Sequence, residues 1–402
     1  MRRRFLELIG VAAAITAMLV LLKLAPVPAE GKAAGPTAKA GPASKTPWGE
    51  PDLQGIWTDQ FQTPLQRPVT YAEKEFFTAE EIAALDTQRA AIPQRPRVRP
   101  GAGSEADVAG AYGGVWVSVR PTGRRTSLIV DPPNGRMPAF TPEAQKRRDA
   151  TREYQLALLQ ATRQCKNKER SCAGWRYGPP SPRRAEPPPY YATAAVNRAD
   201  GPEDRGSSER CMVARLPDFG GFRRIVQSPG AVSIFYDTGQ GQGWQRVIPV
   251  TGGPHLPPHV RQWWGDSRGR WDGNTLVVDV TNFSPKTDFQ GSRENLHLVE
   301  RWTRLDANTI EYAVTMEDPT TWMKPWTVKQ DLTRQDEQAN RIYYEPRCHE
   351  GNYGMVGILT GARAVEKAFA QGLGPHPAEV DLFSIGPTFF AEEDIDPLGG
   401  GA

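Results

Sequence analysis

Cysteine and histidine are scarce in this 402-residue chain, which has four of the first and five of the second. No two cysteines stand in C-x2-C spacing, so the sequence offers no ordinary cysteine zinc site. His255 and His259 have the i, i+4 spacing of a metal pair, but that spacing works only on a helix, and Pro257 and Pro258 forbid one there. The glutamate that follows the first histidine in zinc proteases is also missing. A set built from His255, His259, His297 and His349 together is the remaining metal arrangement, and we expect neither metal nor cofactor. The chain has no G-x-S-x-G elbow, no Walker loop and no dinucleotide fingerprint. The glycines of Thr238-Gly239-Gln240-Gly241-Gln242-Gly243 lead into another strand pattern rather than a helix, so they read as a hairpin loop.

Charge of one sign is lacking too. The formal net charge is +3. Removing the first 29 residues takes away four basic and one acidic residue from totals of 49 and 46, leaving the two signs equal. A neutral chain has no general attraction to nucleic acid or anionic lipid.

Only one long apolar run is present, Leu8–Leu22, and it is shorter than the roughly 20 residues of a spanning helix. Arg2-Arg3-Arg4-Phe5-Leu6 precedes it and the small residues of 25–29 follow, which is the layout of an export signal of the twin-arginine kind. The expected location is therefore periplasmic or secreted, with membrane contact only if the signal is retained. In such a compartment four cysteines suggest two bridges. Cys165 and Cys172 flank a short charged segment, leaving Cys211 with Cys348.

What is abundant is turn chemistry. The 39 glycines and 37 prolines make up about a fifth of the chain, against roughly an eighth in average proteins. After the signal (1–29) and a Pro-containing linker (30–47), a Pro-rich mixed region (48–205) holds a helix opened by Thr78 and another opened by Thr141-Pro142-Glu143 that should run to about Gln164. Strands are expected at Tyr112–Val119 and Ser127–Val130. From 206 to 350 short alternating runs recur: 231–236, 244–250, the hairpin at Asp272-Gly273-Asn274, the runs 296–302, 310–316 and 327–333, and Arg341–Glu345. A helix at Leu359–Ala370 belongs to the C-terminal segment (351–402). The fold class is mainly β: an antiparallel barrel or sandwich with a few peripheral helices.

Glu300 shares a face with Leu296, Leu298 and Trp302. A buried carboxylate must be paired or have its pKa raised. The first case asks for a neighbouring arginine such as Arg268 or Arg270; the second suits a general acid or base, with Asp266 and His349 as companions. Trp264, Arg268, Trp302, Trp326, His255, His297, Glu350 and Asn352 are candidates for lining an aromatic cavity. The leading expectation is binding of a small organic ligand in that cavity. A hydrolase or lyase at the same place is the second, and an envelope interaction protein the third.

The strings Pro47-Trp48-Gly49-Glu50-Pro51-Asp52-Leu53-Gln54-Gly55-Ile56-Trp57, Arg125–Pro133, Trp264–Trp271 and Cys348-His349-Glu350-Gly351-Asn352 resemble an uncharacterised family of exported bacterial proteins. That resemblance implies no activity and assigns no residue a role. Separately, Gly55-Ile56-Trp57 is similar to the Gly-x-Trp of lipocalins, a pattern from which the helical stretch at 142–164 departs.

Overall fold

The computed structural model describes residues 45–90, 120–335 and 353–380, apart from 192, 208, 213–214 and 240–241. The strand expected at 112–119, that at 341–345 and the residues Cys348, His349, Glu350 and Asn352 lie outside the described residues.

Ten strands form one antiparallel sheet. They are β1 (Gly55–Thr58), β2 (Ile129–Asp131), β3 (Phe222–Ser228), β4 (Ala231–Gly239), β5 (Gln242–Pro249), β6 (Asp266–Asp272), β7 (Thr275–Thr281), β8 (His297–Arg304), β9 (Thr309–Glu317) and β10 (Trp326–Arg334). Their spatial order is β5-β4-β3-β1-β10-β9-β8-β7-β6, with β2 set against β10. The sheet curls into a nearly closed barrel. The tight turns after β3, β6 and β8 cluster at one end. At the other end lie Thr58, Phe222, Asp237, Asp266, Thr281, His297, Glu317 and Trp326. Residues 139–147 are hydrogen-bonded to the β9–β10 turn at this second end, called here the capped end.

Alternation sends Leu276, Val278, Val280, Leu298, Trp302, Ile310, Tyr312, Val314 and Met316 into the barrel, all at most 1% exposed. Two strands were hidden from pattern reading. In β3 the inward residues are Arg223, Ile225 and Gln227, so the core face is mostly polar. Gln227 uses its side chain to accept from Leu53 N (2.6 Å) and donate to the Pro51 carbonyl (3.1 Å), which binds the chain before β1. The four-residue β1 then slots between β3 and β10, far from its partners in sequence.

Strands β5 and β6 close the barrel without a backbone ladder. Gly269 lets them approach, since a Cβ there would stand 2.9 Å from Ile248 Cγ2 and 3.3 Å from the Pro249 carbonyl. The connection between them, residues 250–265, starts where β5 meets β4 at Ala231 and ends where β6 meets β7 at Thr281. It therefore runs the length of the barrel as a strap along this seam.

The helices are α1 (Ala79–Ala90), α2 (Pro142–Leu159), α3 (Arg163–Lys166) and α4 (Tyr353–Ala370). A reciprocal capping box starts α1: Thr78 N donates to Glu81 Oε2 at 2.7 Å and Glu81 N to Thr78 Oγ1 at 3.3 Å. Thr141 caps α2 by accepting from Ala144 N. That helix stops at Leu159, earlier than its pattern suggests, because Thr162 turns its own amide and hydroxyl onto the Leu159 carbonyl. Helix α4 begins six residues before its expected start. Among the described residues no helix is long and apolar enough to cross a membrane.

The Cys165–Cys172 bridge is present, with Cα atoms 5.1 Å apart. Cys211 is also disulfide-bonded, and its expected partner, Cys348, lies outside the described residues. Replacing Cys165 and Cys172 with serine should lower the unfolding free energy by about 2.5 kcal/mol, measured by urea denaturation, from the loop-closure entropy alone.

Candidate functional site at the capped end of the barrel

The sequence pointed to Glu300, and the interior explains what it does structurally. Glu300 is 0% exposed. Arg246 of β5 reaches across the seam and donates from Nη2 to Glu300 Oε2 at 2.6 Å, while Tyr312 OH donates to Oε1 at 2.8 Å. Arg246 Nε also donates to Ser267 Oγ of β6 at 2.8 Å, and Nη1 to Tyr236 OH at 3.4 Å. The arginine is therefore neither Arg268 nor Arg270, which face outward: Arg268 stands opposite Asp279 in the β6–β7 ladder and pairs with Asp266 at 3.1 Å. Burial alone would discharge Arg246, but Glu300 and the hydroxyls around it outweigh that and hold its pKa above the ordinary arginine value. Burial pushes the Tyr236 phenol up to about 12 and Tyr312 well above its usual value. These groups hold the wall together by fixed hydrogen bonds.

Trp302 and Trp326, both 0% exposed, are packed against Tyr312 (4.3 Å between ring centroids) and Phe289 (6.0 Å). Trp264 is partly exposed at the capped end. It completes a column of Tyr236, Trp244 and Trp264 with successive centroids 4.2 and 4.3 Å apart. These rings thus pack against one another in the barrel interior.

Three other predicted residues, His255, Asp266 and His297, meet on the outer wall around Asp279, which the sequence reading did not single out. The strap brings His255 Nδ1 to 2.9 Å from Asp266 Oδ2 and Nε2 to 2.7 Å from Asp279 Oδ1. His297 Nε2 is 3.0 Å from Asp279 Oδ2. Burial raises the Asp279 carboxyl, but the hydrogen bonds and charge of His297 and His255 outweigh it and bring its pKa below the usual carboxylate range. Among the described residues no group of three histidine, cysteine or acidic side chains has the arrangement to hold a metal ion. Glu300 and Asp266 lie on opposite faces of the wall, and their expected companion His349 is outside the described residues.

The open space is elsewhere. A cleft of about 1430 Å³ lies at the capped end, between α2, the segment 188–196, the β7–β8 connection and the β9–β10 turn. Helix α2 is fixed over this end through its own start: Thr141 N donates to the Thr321 carbonyl at 3.0 Å, and Arg147 Nη2 to that of Thr320 at 3.0 Å. The cleft floor is organised by Asp318, which is 3% exposed. Its carboxylate accepts from Ser292 Oγ (2.6 Å), Thr320 N (2.8 Å), Thr320 Oγ1 (2.6 Å) and Thr321 Oγ1 (2.7 Å).

Cations sit on aromatic rings around this cleft. Arg148 lies 4.1 Å from the Phe140 centroid, Lys286 5.3 Å from that of Tyr191 and Arg293 5.6 Å from that of Tyr190. Arg147, Arg152 and Arg215 add to the basic lining. Four acidic residues line it as well, Asp149, Asp288, Glu294 and Asp318; Asp318 is consumed by its loop and Asp288 pairs with Arg293 at 3.2 Å. Burial pushes the Asp288 carboxyl up, against the pull of Arg293. Pattern reading missed this cleft because its residues come from three irregular segments and one helix, none with a motif. The one signal was the density of arginine and tyrosine in 147–191.

No protein-family model matches the chain, and no curated protein matches it. Two solved structures are similar to part of it. One is a secretory abundant heat soluble protein from Ramazzottius varieornatus, at 12% identity over 30% of this chain and 78% of the other, with a TM-score of 0.21. The other is a point mutant of the fluorescent protein UnaG, at 13% identity over 32% of this chain and 86% of the other, with a TM-score of 0.19. Likenesses at this level carry no argument about the site.

Proposed function

We propose that this protein, exported to the periplasm or beyond, binds a small organic anion in the cleft at the capped end of its barrel. The observation that carries the reading is the set of three aromatic rings, each with a cation on its face, around open space. Such pairs present apolar area and positive charge side by side. That combination suits a ligand with an apolar body and a carboxylate or similar group. The intact Cys165–Cys172 bridge is in keeping with an oxidising compartment. Binding is favoured over turnover at Glu300, because both oxygens of that carboxylate are already held and neither is exposed.

The test is a screen of aromatic and long-chain carboxylates by thermal shift, followed by titration calorimetry of any hit. Affinity should fall with added salt. Tyr191→Ala and Lys286→Ala should each weaken binding by about tenfold, while leaving the barrel's unfolding unchanged. Hits whose affinity ignores both substitutions would remove the cleft as the site.

A further inference from the structure

The strap along the seam places one imidazole, that of His255, between two carboxylates. An ionised carboxylate only accepts hydrogen bonds. The Asp266 oxygen that faces His255 already accepts from Leu256 N at 3.0 Å, and the other faces Arg268 at 3.1 Å, so both oxygens face donors. Both contacts of His255, at 2.9 and 2.7 Å, then form together only when both ring nitrogens carry a proton. A neutral ring turns one bare nitrogen toward a carboxylate. The charged groups around it are Asp266 and Arg268 on β6, Asp279 on β7, His297 on β8, Glu317 on β9, and His259 on the strap itself. Asp279 answers to both histidines, and Glu317 Oε2 lies 3.6 Å from His297 Nδ1.

Beyond His255, the strap is continuous with the wall of the cleft. Asn282 Nδ2 lies within hydrogen-bond reach of three strap carbonyls, those of Leu256, Pro257 and Val260. Gln262 N donates to the Asn282 carbonyl at 2.9 Å, and Ser284 N to that of Gln262 at 2.7 Å. Arg261 donates to the Glu294 carbonyl at 2.7 Å. Trp263 sits edge-on to Tyr191, 6.4 Å between centroids. Glu294 and Tyr191 both line the cleft.

We propose that His255 is a pH-operated latch: its imidazolium fastens the strap to β6 and β7, and loss of one ring proton frees the strap and loosens the cleft wall joined to it. The functional meaning of the latch, retention of a ligand on the acid side and release on the alkaline side, rests on the cleft being the binding site. The latch has an acid limit as well. Asp279 has its pKa lowered in the folded state, so the stability it contributes is present above its unfolded value and is lost as pH falls through the folded one. The strap is therefore closed while His255 carries both ring protons and Asp279 its charge, and opens when the ring loses one.

Hydrogen exchange of the full-length protein, without ligand, tests this. Amide protection, corrected for intrinsic rates, is compared at about pH 6 and about pH 8, on either side of the range where an imidazole ordinarily changes charge. Protection across 250–265 should fall by about tenfold or more at the higher pH, the loss of one charge-assisted hydrogen bond. The cleft segment 285–295 should fall with it, and β7 to β9 should not. His255→Gln carries no titratable proton and should abolish the pH response, whereas His297→Gln should keep it. Should His255→Gln fail to fold, Asp279→Asn gives the same reading, because an amide can face either form of the ring. A strap equally protected at both pH values, or a response that survives in His255→Gln, overturns the latch whether or not the cleft binds anything. A responding strap beside an unmoved 285–295 overturns its link to the cleft.

Discussion

Replacing Arg246 with leucine will lower the unfolding free energy by about 3–5 kcal/mol, the largest single effect expected in this molecule. Arg246 is the cation of a pair in which both side chains are buried, at 3% and 0% exposure. Deleting it strands Glu300 in the core with only the Tyr312 hydroxyl as a donor. It also removes a side chain that joins β5 to both β6 and β8, at the place where backbone pairing is missing. Urea denaturation read by circular dichroism measures the loss. Glu300→Leu alone should be similarly costly, because it leaves the guanidinium uncompensated. The double variant, Arg246→Leu with Glu300→Leu, should recover much of the stability, since neither desolvated charge remains. A double-mutant cycle showing simple additivity would mean that the pair does not act as a unit.

Asp318→Ala will cost about 2–4 kcal/mol and disorganise the cleft. Four donors converge on this carboxylate, from Ser292 on one connection and Thr320 and Thr321 on another. Hydrogen bonds to a charged acceptor are among the stronger ones, and buried donors left without a partner carry a desolvation penalty. Asp318→Asn retains the shape but has a single acceptor oxygen, so it should fall between alanine and the parent. The effect should be visible in two measurements. The unfolding midpoint shifts, and any ligand found for the cleft loses affinity, because Thr320 and Thr321 also carry the start of α2. A variant with unchanged midpoint and unchanged affinity would show that the two connections hold their places without it.

Much of the barrel was legible before any coordinates. Leu276, Val278 and Val280, or Ile310, Tyr312 and Val314, advertise a buried face by simple alternation. The hairpin at Asp272-Gly273-Asn274 gives its register away by turn chemistry. What stayed hidden was polar or remote. The inward row of β3 reads as a solvated face because Arg223 and Gln227 are on it. The partner of Glu300 comes from β5, 54 residues away, and ladder proximity favoured Arg268 instead. That Glu300 itself was inward could be read from its neighbours; that it serves the seam depends on which two strands end up as edges, which alternation does not encode. The outer array of His255, Asp266, Asp279 and His297 needed the path of the strap, and the cleft needed four segments that share no pattern.

The insertion of Gly55–Thr58 between Phe222–Ser228 and Trp326–Arg334 has a consequence for the order of events in the cell. The strand that leaves the ribosome first waits for partners made last, so the wall has a missing stave until residue 334 has been synthesised. Contacts so distant in sequence close slowly. A chain cut short before β10 would leave both β1 and β9 with bare edges, open to pairing with other copies. Completion of the barrel is thus a report that synthesis has passed residue 334.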